Sequence, residues 1–268
     1  MRPRSRLWNL AQVLSTGKKP AALQWRDEHT CVYVDSEGQH RQFALRFPSG
    51  FDPLQQSDSA EVAKWPLLVY MHGAGGETFF TYSKKSLNSI GMDFAASTFV
   101  VITPSCKWSW RDTPGQWVVE LVEAMRALDW IDYRRIYLTG LSMGGMGVWE
   151  VAAQRPDLFA AIAPVAGHHK KEKSQWIAER LSASSIFVLH DVTDNTCPIA
   201  SEEALWKLFK ANGHKDLHTV LTHGVGHCNM HEHAYCIMSD LYQWFLRRGA
   251  VTQCQEADRL SNVGHCSP

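Results

Sequence analysis

Short, continuous apolar runs alternate along this chain with longer segments in which apolar residues recur every three or four positions, a pattern that predicts strands and helices taken in turn. Leu67-Leu68-Val69-Tyr70-Met71 is the clearest run, and its lack of any polar interruption is what a strand buried on both faces requires. Similar runs predict strands at residues 99–103, 135–139, 159–163, 186–189 and 218–221. Between them, residues 116–131 set Val118, Leu121, Val122, Met125 and Leu128 on one helical face and Glu120, Glu123 and Arg126 on the other. Residues 143–154, 201–210 and 232–247 also have helical spacing, the last burying Tyr235, Met238, Leu241 and Phe245. Nearer the start, residues 30–34 and 41–46 alternate in polarity on either side of Asp35-Ser36-Glu37-Gly38, a hairpin signal, and residues 48–64 read as a polar, proline-containing loop. Strands alternating with helices predict an α/β fold with a mostly parallel central sheet and helices on both faces.

Composition sharpens this only at the edges. A chain of 268 residues that is 45% hydrophobic suits one large domain, placed at residues 29–250. Residues 1–28 are expected to form a loosely ordered basic leader carrying Arg2, Arg4, Arg6, Lys18 and Lys19, and residues 251–268 a polar C-terminal tail. The leader lacks the apolar segment of a secretory signal, which leaves a cytoplasmic protein or an organelle transit peptide. Basic and acidic residues balance at 27 each, so no net field draws the chain to nucleic acid or an anionic membrane, and no run of about 18 apolar residues predicts a membrane span. Nothing in the pattern specifies an oligomeric state. The seven cysteines are odd in number and dispersed, which suits a reducing compartment.

The candidate chemistry starts at Gly140-Leu141-Ser142-Met143-Gly144, between a predicted strand and a predicted helix. A serine in that context stands on a tight strand-to-helix turn, where a helix N-terminus favours developing negative charge. Its hydroxyl needs an imidazole to take the proton and a carboxylate to orient the imidazole. The strand at 186–189 runs into His190-Asp191-Val192-Thr193-Asp194, and the strand at 218–221 into His223-Gly224-Val225-Gly226-His227. Ser142, Asp194 and His227 therefore follow the nucleophile, acid, base order of α/β-hydrolases. Met143, with Ala74 or Gly75 from the glycine-rich segment His72-Gly73-Ala74-Gly75-Gly76, is predicted to donate backbone N–H groups to an oxyanion. His72 is expected to support that loop. Cys197 and Cys228 fall just after the candidate acid and base, so they are either bridged or free thiols.

Residues 66–76 (PLLVYMHGAGG), 134–149 (RRIYLTGLSMGGMGVW), 156–167 (PDLFAAIAPVAG) and Gly226-His227 resemble the α/β-hydrolase superfamily. They resemble especially its branch of predicted peptidases and esterases related to feruloyl esterases and polyhydroxybutyrate depolymerases, over roughly residues 30–248. The resemblance implies a serine carboxylesterase working through an acyl-enzyme on a small ester, without metal or cofactor, with Ser142, Asp194 and His227 at the triad positions. The chain departs from its relatives where they read His-Gly: here stands His190-Asp191, so a second carboxylate lies three residues before Asp194.

Other features carry two readings. His223, His227, His231 and His233 invite a metal site, but no carboxylate-bearing zinc motif accompanies them. His168-His169 with Lys170, Lys171 and Lys173 reads as a solvated loop. Trp108 and Trp110 lie where this fold has its cleft and are expected either to line an acyl pocket or to sit in the core. The charged stretch at 170–185 contains no long aliphatic lid, which predicts short-chain or aromatic acyl esters. The same machinery also serves peptides and thioesters, and a non-catalytic binding protein on this scaffold is the reading from a different class.

Overall fold

The computed structural model describes residues 28–51, 63–74, 90–106, 109–110, 113–237 and 239–249. Residues 1–27 of the basic leader, the polar tail, Met238, Gly75 and Trp108 lie outside the described residues, and Glu28, placed in the leader by its sequence, starts the first strand.

Chain order in the described residues is β1 (Glu28–Val34), β2 (His40–Arg46), β3 (Trp65–Met71), α1 (Ile90–Thr98), β4 (Val100–Pro104), α2 (Thr113–Arg126), β5 (Ile131–Leu141) and α3 (Met143–Gln154). It continues with β6 (Ala161–Val165), a 3₁₀ turn (Lys171–Lys173), α4 (Ser174–Arg180), β7 (Ile186–Asp191), α5 (Ala200–Ala211), β8 (Leu217–Thr222), α6 (Gly226–His231), a π-helical turn (Glu232–Ile237) and α7 (Asp240–Leu246). The strands form one sheet in the order β1-β2-β4-β3-β5-β6-β7-β8. The β1–β2 and β2–β4 pairs are antiparallel, and from β4 to β8 all neighbours are parallel. This is the α/β-hydrolase arrangement.

Strand alternation divides the core. Leu67, Val69 and Met71 face one side with Ile136 and Leu138, where α2, α3, α4 and α5 bring Trp117, Val122, Trp149, Ile177 and Phe209. Leu68, Tyr70 and Tyr137 face the other, against Phe99, Tyr235, Tyr242 and Phe245 from the segments around α1 and α7. Both faces of the central strands are dry, which is why their sequences read as unbroken apolar runs.

The sheet also fixes where the site lies. After β3 the chain adds β4 on one side and then crosses to add β5 on the other, so the crevice between β3 and β5 opens at their C-terminal ends, where α/β sheets bind ligands. Met71 pairs with Gly140 in that register, so His72-Gly73-Ala74 runs beside Leu141-Ser142-Met143.

Several boundaries differ from the predicted ones. Helix α2 ends at Arg126 because Leu128 and Trp130 turn into the core and Ile131 already starts β5. The helix expected over 232–247 is broken: a π turn carries Tyr235 inward until its hydroxyl lies 2.8 Å from Thr139 Oγ1 on β5, and a new helix begins at Asp240. Helix α1 has no counterpart among the predicted elements, because its apolar residues Ile90, Met92, Phe94, Ala95 and Ala96 do not recur at a helical period. Among the described residues no helix is long and apolar enough to cross a membrane.

Candidate active site

Ser142 stands between β5 and α3 with φ 56° and ψ −116°, a left-handed conformation that costs a non-glycine residue about 1–3 kcal/mol. Neighbouring backbone holds it there. The Ser142 N–H donates to the Val165 carbonyl at 2.9 Å, and the Ser142 carbonyl accepts from Met146 N–H at 2.9 Å. A β-carbon on Gly144 would stand 1.8 Å from the Met71 carbonyl oxygen, and one on Gly140 would stand 2.6 Å from it, so both glycines are required by close backbone approach. This packing turns the hydroxyl out above the sheet.

Two later loops reach that hydroxyl. His227, in the first turn of α6, has Nε2 2.8 Å from Ser142 Oγ, and its Nδ1–H donates to Asp194 Oδ2 at 2.6 Å. The other oxygen, Asp194 Oδ1, accepts the Thr196 and Cys197 amides at 2.8 Å each. The carboxylate is buried and acceptor-only, which assigns the proton to Nδ1 and leaves the Nε2 lone pair facing the serine. The structure thus brings Ser142, His227 and Asp194 into one hydrogen-bonded line, with Asp194 rather than Asp191 next to the imidazole.

The glycine-rich segment after β3 lies against the same turn. A β-carbon at Gly73 would be 3.4 Å from Leu141 O and 3.6 Å from Ser142 Cβ, so Gly73 lies against the serine turn and Ala74 is the residue that follows it. His72 anchors the segment: Nδ1–H donates to Gly73 O at 2.7 Å, and Nε2 accepts Cys106 N–H at 3.0 Å. Burial of the ring pushes its pKa down, so the neutral form that this pattern needs is the favoured one.

Trp110 corrects the expectation that it lines a pocket. It is 0% exposed, its indole N–H donates to the His72 carbonyl at 2.8 Å, and its ring stands edge-on to His72 with centroids 4.9 Å apart. It is therefore a support beneath the glycine-rich segment. His169 differs as well, being buried with Nε2 2.7 Å from Ser174 Oγ and Nδ1 3.7 Å from Glu202 Oε1. Sequence position places both residues near strand ends but carries no information about burial. Cys197 is buried and Cys228 exposed, and both are free thiols, so no bridge joins the two loops. Of the clustered histidines, His227 meets Ser142 while His231 turns into the core beside Tyr70 and Tyr235. Among the described residues no group of three or more His, Cys, Asp or Glu side chains is arranged to hold a metal ion.

His190, read from the sequence as a hydrogen-bonded core residue, donates Nε2–H to Cys197 O at 2.7 Å and closes the loop around Asp194. Asp191 escaped the sequence reading in one respect: its carboxylate accepts from Thr193, from Thr222 at the end of β8 and from Val225 on the loop that carries His227.

Comparison with known proteins agrees with this architecture. The prolyl oligopeptidase family matches residues 107–184, a segment that contains Ser142 but neither Asp194 nor His227. A bifunctional acetylxylan esterase/xylanase of Neocallimastix patriciarum is 28% identical over 155 residues, covering 56% of this chain and 22% of that protein. Poly(3-hydroxyalkanoate) depolymerase C of Paucimonas lemoignei is 29% identical over 136 residues, covering 45% of this chain and 32% of that protein. The chain thus spans less than a third of the length of either curated relative. Among solved structures, a thermostable esterase superposes with a TM-score of 0.62 at 22% identity, over 84% of this chain and 64% of its own. The parallel sheet, the serine turn and the superposition show the α/β-hydrolase fold, and the proteins this chain resembles over part of its length are esterases, a depolymerase and peptidases.

Proposed function

We propose that this protein is a serine carboxylesterase in which Ser142 is the nucleophile, His227 the general base and acid, and Asp194 the group that orients the imidazole. The observation that carries this reading is the continuous line from Asp194 through His227 to Ser142 on a strained strand-to-helix turn. As Ser142 Oγ attacks the ester carbonyl carbon, His227 Nε2 takes the hydroxyl proton, and Asp194 stabilises the imidazolium. The carbonyl oxygen becomes an oxyanion held by the Met143 and Ala74 amides, each worth about 3 kcal/mol in the transition state. Collapse breaks the ester C–O bond, and the departing alkoxide takes the proton from His227. Water repeats the sequence on the acyl-enzyme, releasing the carboxylic acid and restoring the serine.

The substrates proposed are short-chain or aromatic acyl esters. Burying each added CH₂ of a long chain gains about 0.8 kcal/mol only on an extended apolar surface, and residues 170–185 are charged and carry the short helix α4 instead. Serine peptidase activity is the second reading, favoured by the family match over residues 107–184. The test is hydrolysis of p-nitrophenyl esters from acetate to palmitate by wild type and Ser142→Ala, beside a matched peptide p-nitroanilide. Expected are a loss of kcat of about a thousandfold or more in the variant, with unchanged circular dichroism, and activity falling beyond about eight carbons. Activity of Ser142→Ala within tenfold of wild type overturns the nucleophile, palmitate as the best substrate overturns the chain-length reading, and a faster anilide overturns the ester preference.

A further inference from the structure

The loop that carries His227 is weakly held by its own sequence. Gly224 and Gly226 both adopt left-handed conformations, at φ 82° and 69°, and a β-carbon on either would meet nothing within 4 Å. Val225 stands between them, two residues before the imidazole. Glycines so placed leave the backbone many alternatives, and no packing around them selects one. Pairing between β7 and β8 ends nearby, at Asp191 opposite Thr222.

Asp191 continues the connection past the last strand pair. Its side chain is wholly buried, and each of its oxygens accepts two donors. Oδ1 takes the amide and hydroxyl of Thr193 within its own loop. Oδ2 reaches across to the other loop, taking the Thr222 hydroxyl at 2.7 Å and the Val225 amide at 2.9 Å. One carboxylate therefore ties the loop bearing Asp194 to the loop bearing His227, gripping the second at Val225, between Gly224 and Gly226. Burial alone would raise the Asp191 pKa, but these hydrogen bonds outweigh it and hold the carboxyl well below the usual range, so the acceptor form persists at any pH where the enzyme would work.

We infer that Asp191 is a positioning residue: it touches no reacting atom, and through Thr222 and Val225 it sets where His227 presents Nε2 to Ser142. The inference rests on the Ser142–His227–Asp194 reading above. A misplacement of about 1 Å at a catalytic group can cost about a hundredfold in rate, so a tie on the base loop acts on kcat more than on KM. The residue type matters as much as the position. In Asp191→Asn an NH₂ group would face donors, and at least one backbone amide would lose its acceptor.

The experiment measures kcat and KM on p-nitrophenyl butyrate for Asp191→Asn, Thr222→Val, Thr222→Ser and Thr193→Val, with Ser142→Ala and Asp194→Asn as references and thermal unfolding run on each. Asp191→Asn is expected to lose about tenfold to a hundredfold in kcat with KM within about twofold. Thr222→Val, which cuts one of the two bonds to Oδ2 and leaves the one from the Val225 amide, is expected to lose several-fold, Thr222→Ser to restore wild-type turnover by restoring the hydroxyl, and Thr193→Val, which cuts only a bond inside the acid loop, to change little. If Asp191→Asn fails to fold, the threonine series decides by itself. Equal kcat in Thr222→Val and wild type overturns the inference, as does a loss that Thr222→Ser does not restore. Asp191→Asn proving more damaging than Asp194→Asn would make Asp191 the acid instead, and full activity in Ser142→Ala or Asp194→Asn would locate the failure in the triad reading itself.

Discussion

The two halves of the site are held by different forces. Around Ser142, β3, β5 and α3 meet backbone against backbone: Gly140 and Gly144 lie on the Met71 carbonyl, and Ser142 keeps a strained φ within that packing. Around Asp194 and His227, the loops after β7 and β8 are exposed at most positions and are tied by hydrogen bonds to two buried carboxylates, Asp194 and Asp191. The first construction excludes atoms; the second depends on protonation and on donor and acceptor identity. A site built this way should fail by volume on one side and by charge on the other.

The largest effect is expected from adding one methyl group to the steric side. Gly144→Ala puts a β-carbon 1.8 Å from the Met71 oxygen, so either β3 or α3 must shift. Overpacking of this kind costs about 3 kcal/mol or more, and urea unfolding should show it together with loss of esterase activity. Stability within about 0.5 kcal/mol of wild type would mean that the elbow is not packed as described.

The polar side should instead respond to pH. Asp191 has a depressed pKa in the folded protein and an ordinary one, about 3.9, when unfolded. Between those values the native state binds fewer protons, so its contribution is complete above about pH 4 and is lost as pH falls toward the folded value. Melting temperatures of wild type and Asp191→Asn measured from pH 3 to 6 should therefore begin to draw together at the acid end. Parallel curves across that range would show that the carboxylate's ionisation does not stabilise the fold.

The smallest effect sharpens the boundary between the halves. Trp110→Phe preserves a buried ring but removes the donor to the His72 carbonyl, at an expected cost of about 1–2 kcal/mol. The ratio of activities on acetate, butyrate and an aromatic ester should stay the same, because the ring lies under the glycine-rich segment. A changed ratio would return Trp110 to the pocket wall.

What was legible in the sequence follows the same division. The elbow could be read because its determinants are contiguous: a β-branched strand, glycines two residues either side of Ser142, and a helix, all within residues 135–154. The order of Ser142, Asp194 and His227 could be read because strand ends carry loops to one edge of a parallel sheet. Where the sequence reading left Asp191 as a rival to Asp194, the difference is one of partners: Asp191 turns to Thr222 and Val225, while Asp194 turns to His227. Those partners are some thirty residues away along the chain, and no local pattern encodes which carboxylate will meet which donor.

By itself, then, the sequence determined the alternation of strand and helix, the wet and dry faces of α2, and the serine turn, because periodicity and close-packed glycines act over a few residues. Tertiary structure alone decided that Trp110 and His169 are buried, that the final helix breaks so that Tyr235 can reach Thr139, and that Asp194 meets the His227 imidazole while Asp191 meets Thr222 and Val225. Each of those outcomes depends on which segments the folded sheet brings within hydrogen-bonding reach, a distance that sequence separation does not measure.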